Sequence, residues 1–169
     1  MRRVVILGPP GSGKSTVARA LGRCLAVPVV HLDQLHFLPG WVLRPKDEVY
    51  AEVAKLTAQP EWVMEGNWSH CLDLRLARAD AVVYLDLSRP LRLMRVLRRL
   101  LLHYGRERPD AAAGCPERFN AAFLIYTWTC HRSTRAKALG AFRDARADAA
   151  RHHLKSRRDI AAFLEQAGA

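Results

Sequence analysis

The sequence predicts an α/β protein built on a parallel sheet. Three observations carry that prediction. Short apolar runs rich in β-branched residues alternate along the chain with longer amphipathic stretches. The first run, residues 4–7, leads straight into the glycine-rich turn Gly8-Pro9-Pro10-Gly11-Ser12-Gly13-Lys14-Ser15. A helical pattern opens directly after that turn, so the chain starts as strand, loop and helix.

The elements follow in order. Residues 4–7 (V-V-I-L) are apolar throughout, as suits a strand buried on both faces of a parallel sheet. A helix is predicted over about 14–25 and a second strand over 27–32. Pro45 fits a first helical position, with Asp47 and Glu48 in the first turn, so a helix should cover 46–58. Residues 61–65 (E-W-V-M-E) read as a third strand, ended by Gly66-Asn67, and 81–87 (A-V-V-Y-L-D-L) as a fourth. Ser88 can cap the next helix, which should end near Gly105. Residues 106–116 form a polar loop with Gly and Pro, and helical patterning resumes over 117–150 with a break near Ser133 or Gly140. Residues 152–155 carry the weakest strand signal. Ser156-Arg157-Arg158-Asp159 has the form of a capping box opening a last helix to Gln166. The stripe Phe119, Phe123, Tyr126 and Cys130 is expected in the core, and nothing marks a subunit interface, so the oligomeric state stays open.

The 169 residues fit a single domain, half apolar and a quarter charged, which excludes disordered, collagenous and coiled-coil classes. No apolar run approaches the ~20 residues of a membrane span. Arg2 and Arg3 precede only a four-residue apolar run, so no signal peptide is expected and the chain should be soluble and cytoplasmic. Cys24, Cys71, Cys115 and Cys130 show no C-x-x-C pair and no histidines at zinc-ligand spacing, which suits reduced thiols. The net charge is +11, and 22 of the 27 basic residues are arginine. Such a surplus implies anionic partners, whether nucleotides, other phosphates or nucleic acid.

The turn at residues 8–15 matches G-x-x-x-x-G-K-[S/T] in the strand-to-helix context that gives the pattern meaning. At average residue usage a chance match in a chain this size is on the order of 1%. Glycines let consecutive backbone N–H groups curl toward phosphate oxygens, and the helix N-terminus adds partial positive charge. Gly8 through Ser15, with Thr16, are therefore candidates for holding ATP; Lys14 would reach the β- and γ-phosphates and Ser15 would ligand Mg²⁺. No guanine-reading N-K-x-D and no strand ending in a paired D-E follow, which disfavours GTPases and large ATPases. A small nucleotide-kinase-like phosphotransferase remains.

On the acceptor side, ligands of an open parallel sheet bind beyond the carboxyl ends of its strands. His31-Leu32-Asp33 ends the second strand, so Asp33 should face the phosphate loop and orient or deprotonate an acceptor hydroxyl. Phe37 and Trp41, on the turn F-L-P-G-W, could wall the acceptor. Glu65 ends the third strand, where a carboxylate could hold a Mg²⁺-bound water, and Asn67 and Trp68 follow as acceptor contacts. Next comes a basic helix on which Arg92, Arg95 and Arg99 fall within an arc of about 60°, with Leu93, Leu97, Leu100 and Leu101 on the other side. Arg106 and Arg108 lie on the loop beyond it, which reads as a lid able to neutralise a migrating phosphoryl group.

Together H-L-D-x-L-x-F-x-P-G-W, W-V-M-E-G-N-W, R-V-L-R-R, G-R-E-R-P-D and G-C-P-E-R-F resemble the bacterial DNA topology modulation protein family, small adenylate-kinase-like P-loop proteins, over about residues 3–165. The resemblance implies a five-stranded parallel sheet flanked by helices. It also implies an acceptor-binding insert at about 34–60 and an arginine-bearing lid at about 105–116, with Arg95 and Arg99 at the lid's base. The chain departs from its relatives in having Glu65 for their usual aspartate and Glu65-Gly66-Asn67-Trp68-Ser69 for the D-G-F-P-R segment that handles AMP. His31 stands where shikimate-type kinases have a metal-binding aspartate. The expectation is an ATP- and Mg²⁺-dependent phosphotransferase with a nucleotide or nucleoside acceptor. A polynucleotide 5′-hydroxyl kinase and an ATP-gated DNA-binding module are the alternatives.

Overall fold

The computed structural model describes residues 1–168. Its frame is a parallel five-stranded sheet in the order β2-β5-β1-β6-β7. The strands are β1 (Arg3–Leu7), β2 (Val29–His31), β5 (Trp62–Glu65), β6 (Ala81–Leu85) and β7 (Ala150–Leu154). Alternation along each strand divides the core between the two faces. Val4, Ile6, Val63, Val83 and Leu85 meet Val17, Leu21 and Phe163 of α1 (Lys14–Leu25) and α8 (Arg157–Gly168). Val5, Leu7, Trp62, Met64, Val82 and Tyr84 face the other way, onto Leu76 and the alanines of α7 (His131–Asp144). The α/β class and the five-stranded sheet are thus as the sequence predicts.

The second strand is shorter than its apolar pattern. It stops at His31, and Leu32 begins a five-residue helix, α2 (Leu32–His36), that carries Asp33 in its first turn. The F-L-P-G-W turn is a small antiparallel hairpin: β3 (Phe37–Leu38) and β4 (Val42–Leu43) pair around a 3₁₀ turn at Pro39–Trp41. Then come α3 (Lys46–Thr57) and, after β5, a second 3₁₀ turn at Ser69–Cys71 leading into α4 (Leu72–Leu76). Leu32, Val49, Val53 and Cys71 make a small core of their own beneath this insert.

Beyond β6, α5 (Arg89–His103) starts at Ser88, whose side chain makes no capping hydrogen bond. The long helical stretch breaks at Cys130 rather than at Ser133 or Gly140, giving α6 (Ala121–Thr129) and α7. The weakly signalled last strand is real and starts two residues earlier, at Ala150. The capping box opens α8 as expected, with the Asp159 amide donating to Ser156 Oγ at 3.1 Å and the Ser156 amide donating back to Asp159 Oδ2 at 3.0 Å.

The faces of α5 and α6 depart from the periodicity. On α5 the buried residues are Arg92 and Val96, while Leu97 and Leu101 face outward. On α6, Thr127 is buried, whereas Phe119 and Tyr126 of the anticipated core stripe are exposed; Cys130 alone of that stripe is fully buried. α6 packs on α5 and takes up Arg92 through the Thr127 carbonyl, which one-dimensional spacing does not reveal. No helix among the described residues is long and apolar enough to cross a membrane.

Candidate active site

The loop after β1 turns on residues with positive φ. Gly11 (φ 75°) is held against α5 so closely that a Cβ there would lie 2.4 Å from the Arg92 carbonyl oxygen. The α1 N-terminus at Gly13 carries no side-chain cap, and Ser12 Oγ is buried with no partner. The uncapped amides of the first turn of α1 are the donors an anion at a helix N-terminus would use. Lys14 lies over the loop with Nζ 3.4 Å from the Pro9 carbonyl. Pro10 follows within the loop, and Thr16, one turn into α1, is exposed.

Parallel pairing brings the next groups to the loop. β2 and β5 are neighbours with His31 opposite Glu65, and β5 neighbours β1 with Glu65 opposite Ile6. The buried Glu65 carboxylate thereby accepts from Ser15 Oγ at 2.9 Å and meets His31 Nδ1 at 2.9 Å, both through Oε1. Burial by itself would raise the Glu65 carboxyl. The bonds from His31 and Ser15 and the charge of Lys14 outweigh it and hold the group below the ordinary carboxylate value. Ser15 and Glu65 are a pair of oxygen donors of the kind Mg²⁺ takes.

Asp33 behaves oppositely. Withdrawal from water raises its carboxyl above the ordinary value, against the opposing pull of the Trp68 indole N–H, Lys14 and Arg108. Trp68 Nε1 donates to Asp33 Oδ1 at 2.9 Å. Two carboxylates at one loop, one kept ionised and one pushed toward neutrality, form the usual division between a charge holder and a proton acceptor. Phe37 lies edge-on to both Trp41 and Trp68, with centroids 5.2 Å and 5.6 Å apart, so these rings form one aromatic corner beside Asp33.

Asn67 has a different neighbour from the one its position suggested. Its Nδ2 donates to the Gly8 carbonyl at 2.7 Å and its Oδ1 accepts from the Gly8 amide at 3.1 Å, so both ends brace the phosphate loop. The basic arc separates into three environments. Arg95 lies over the loop, donating to the Ser12 carbonyl at 3.2 Å. Arg92 is wholly buried and turns away, donating to the Thr127 carbonyl at 3.1 Å. Arg99 and Arg108 grip one carboxylate, Glu117, at 2.9 Å and 2.7 Å, and Arg108 also pairs with Asp110 at 2.8 Å. Arg106 is exposed.

The segment at 105–116 is folded down onto the insert. Gln34 Nε2 donates to the Pro109 carbonyl at 2.8 Å, Trp41 Nε1 to the Pro116 carbonyl at 3.0 Å, and the Gly40 amide to the Gly114 carbonyl at 2.7 Å. Sequence reasoning did not assign His31, which meets Glu65, or Glu117 and Asp110, which hold Arg108 of the 105–116 segment. It also missed Asp86, just past β6, whose Oδ2 meets His153 Nε2 at 2.9 Å. A strand-terminal acidic residue in A-V-V-Y-L-D-L was the available signal for Asp86.

A nucleotide-type loop between the central strand and α1 is joined by residues at the carboxyl end of the neighbouring strand β5. Solved structures share this architecture. A sugar kinase from Janibacter sp. HTCC2649 aligns over 99% of this chain and 92% of its own, with a TM-score of 0.56 at 17% identity. A shikimate kinase from Acinetobacter baumannii, in complex with shikimate, aligns over 98% and 90% with a TM-score of 0.56 at 16% identity. A candidate kinase from Chloroflexus aurantiacus J-10-fl aligns over 96% and 94%, with a TM-score of 0.58 at 15% identity. The chain has the fold of the small P-loop kinases. No protein-family model and no curated protein sequence matches it, so within this kinase fold the acceptor has to be argued from the residues.

Proposed function

We propose that the chain is an ATP- and Mg²⁺-dependent phosphotransferase whose acceptor is a hydroxyl of a small nucleoside or nucleotide. The observation that carries this reading is Asp33: a carboxyl raised by burial, fixed by Trp68 and within the field of Lys14. A phosphate acceptor is already anionic and has no proton to give up, whereas a hydroxyl acceptor needs a base. The aromatic corner of Phe37, Trp41 and Trp68 suits a planar base beside that hydroxyl.

The uncapped α1 amides, Lys14 and Arg95 would hold the nucleotide phosphates. Ser15 and Glu65 would hold Mg²⁺, which supplies neutralising charge between the phosphates. Asp33 takes the acceptor hydroxyl's proton. The acceptor oxygen then bonds to the γ-phosphorus as the bond to the β–γ bridging oxygen breaks and ADP leaves. Arg99, at the lid's base, and Arg108, on the lid, both held by Glu117, would balance charge during transfer.

The test is transfer of labelled γ-phosphate from ATP with Mg²⁺ to nucleosides, nucleoside monophosphates, gluconate, shikimate and 5′-hydroxyl oligonucleotides. Lys14→Ala and Asp33→Asn proteins run alongside. Label on a nucleoside or mononucleotide, lost in both variants, supports the proposal. Label confined to oligonucleotides moves the acceptor to nucleic acid, and label confined to gluconate or shikimate refutes the nucleoside reading. No label on any acceptor, with ATP still bound, refutes the phosphotransferase.

A further inference from the structure

His36 closes α2, while His70 and Cys71 lie in the 3₁₀ turn that follows Trp68. No sequence spacing links the three, since 34 residues separate His36 from His70. The fold nevertheless gathers His36, His70 and Cys71 so that one ligand atom from each lies within 4.8 Å of the others. His36 Nε2 and His70 Nε2 are 3.2 Å apart. Two imidazole nitrogens on one tetrahedral zinc ion, each at about 2.0–2.1 Å, stand about 3.4 Å from one another. The pair already has that separation.

The surroundings orient these donors. His36 Nδ1 lies 2.7 Å from the Leu32 carbonyl. A carbonyl only accepts, so Nδ1 carries the ring proton and Nε2 offers its lone pair inward. A ligating histidine is commonly held in this way, by a backbone carbonyl on its other nitrogen. Trp68 stacks on the same ring at 3.7 Å and 13°, which fixes its plane. Charge supplies an independent argument. Arg75 is wholly buried beside the cluster and donates to the carbonyls of Cys71, Gly66 and Trp68, at 3.2, 3.0 and 2.8 Å, with no carboxylate among these partners. Its hydrogen bonds all go to neutral groups, so a negative charge in direct contact would stabilise it. A Cys71 thiolate would supply one.

We propose that His36 Nε2, His70 Nε2 and Cys71 Sγ bind a borderline-soft divalent cation of the zinc class, with a fourth position open to water beside the half-buried His70. Binding exchanges the Cys71 thiol proton for the metal–sulfur bond and shifts the His70 ring proton to Nδ1. The ion ties α2, which carries Asp33, to the turn that follows Trp68, and so clamps the acceptor side of the cleft.

Cobalt(II) is the probe, added to the full-length, metal-stripped protein with its thiols reduced. One equivalent should produce a thiolate-to-cobalt charge-transfer band and intense tetrahedral d–d absorption, both erased by one equivalent of zinc. Cys71→Ser should remove the charge-transfer band, and His70→Ala, at a half-buried position, should weaken binding about tenfold or more. Cys24→Ser, at the exposed cysteine, should leave the spectrum intact. Zinc should raise the melting temperature of the parent chain and not that of Cys71→Ser. Absence of a charge-transfer band at one equivalent overturns the proposal, as does a band that persists in Cys71→Ser or vanishes in Cys24→Ser.

Discussion

Trp68 Nε1 donates to Asp33 Oδ1 at 2.9 Å across 35 residues of sequence. The bond joins the start of α2 to the segment after β5, and it stabilises the ionised carboxylate while burial opposes ionisation. In the proposed reaction, the base would therefore be tuned by an indole that lies outside the phosphate loop.

Trp68→Phe keeps an aromatic ring and deletes that donor. Asp33 should then hold its proton to still higher pH, because burial and the Glu65 charge act with less opposition. Since the base must be ionised to work, the acid limb of kcat/KM should move to higher pH while the alkaline plateau changes little. A pH–rate profile of phosphoryl transfer checks this. An unmoved acid limb would show that Asp33 ionisation does not limit the reaction.

Asp33→Asn should lower kcat by about 10²–10⁴-fold, the usual worth of a positioned general base, and at the same time stabilise the fold at neutral pH. The sign follows from linkage. Below the ordinary carboxylate value of about 4, both folded and unfolded chains hold the proton and Asp33 adds no pH dependence. As pH rises toward the higher folded value, the unfolded chain has released its proton and the folded chain has not, so stability falls. Above the folded value the loss is complete. Urea unfolding of both proteins should show equal stability in acid and a more stable Asn variant at neutral pH. A constant difference across pH would refute this.

Asn67→Ala removes both hydrogen bonds to the Gly8 backbone. The expected cost is about 1–3 kcal/mol of stability, since two backbone groups lose a matched partner. ATP should bind more weakly while the acceptor KM stays as it was. Calorimetric ATP titration and acceptor kinetics separate the two; a raised acceptor KM with unchanged ATP affinity would make Asn67 an acceptor contact instead.

What the sequence disclosed follows the range of the interactions involved. β1, the phosphate loop and α1 were legible because their pattern is local: apolar strand, glycine turn, amphipathic helix. The same holds for the Ser156–Asp159 box, whose partners are three residues apart. The His31–Glu65 contact depends on β2 lying beside β5, a choice of neighbour that no single strand records. The inverted burial of α5 has a similar origin. Arg92 would be a surface residue on an isolated helix, and it is buried because α6 covers that side. The two-residue strands β3 and β4 are too short to signal themselves, and the hairpin they form is braced by the 105–116 loop.

That bracing can be isolated with two glycines of this loop. Gly105 (φ 70°) and Gly114 (φ 72°) share a left-handed backbone, so alanine strains both alike, by about 1 kcal/mol. Their surroundings differ. A Cβ at Gly105 meets nothing within 4 Å, whereas one at Gly114 would lie 2.6 Å from Pro39 Cβ, on the hairpin turn. Gly114→Ala must therefore shift this loop against the hairpin turn, which strains the Gly40–Gly114 bond and the seating of Trp41 on Pro116. The expected result is a small stability loss in Gly105→Ala and a larger one in Gly114→Ala. Only Gly114→Ala should also raise the acceptor KM and hasten proteolysis within 105–116. Equal kinetics in the two would mean that closure of the lid onto the hairpin has no part in acceptor binding.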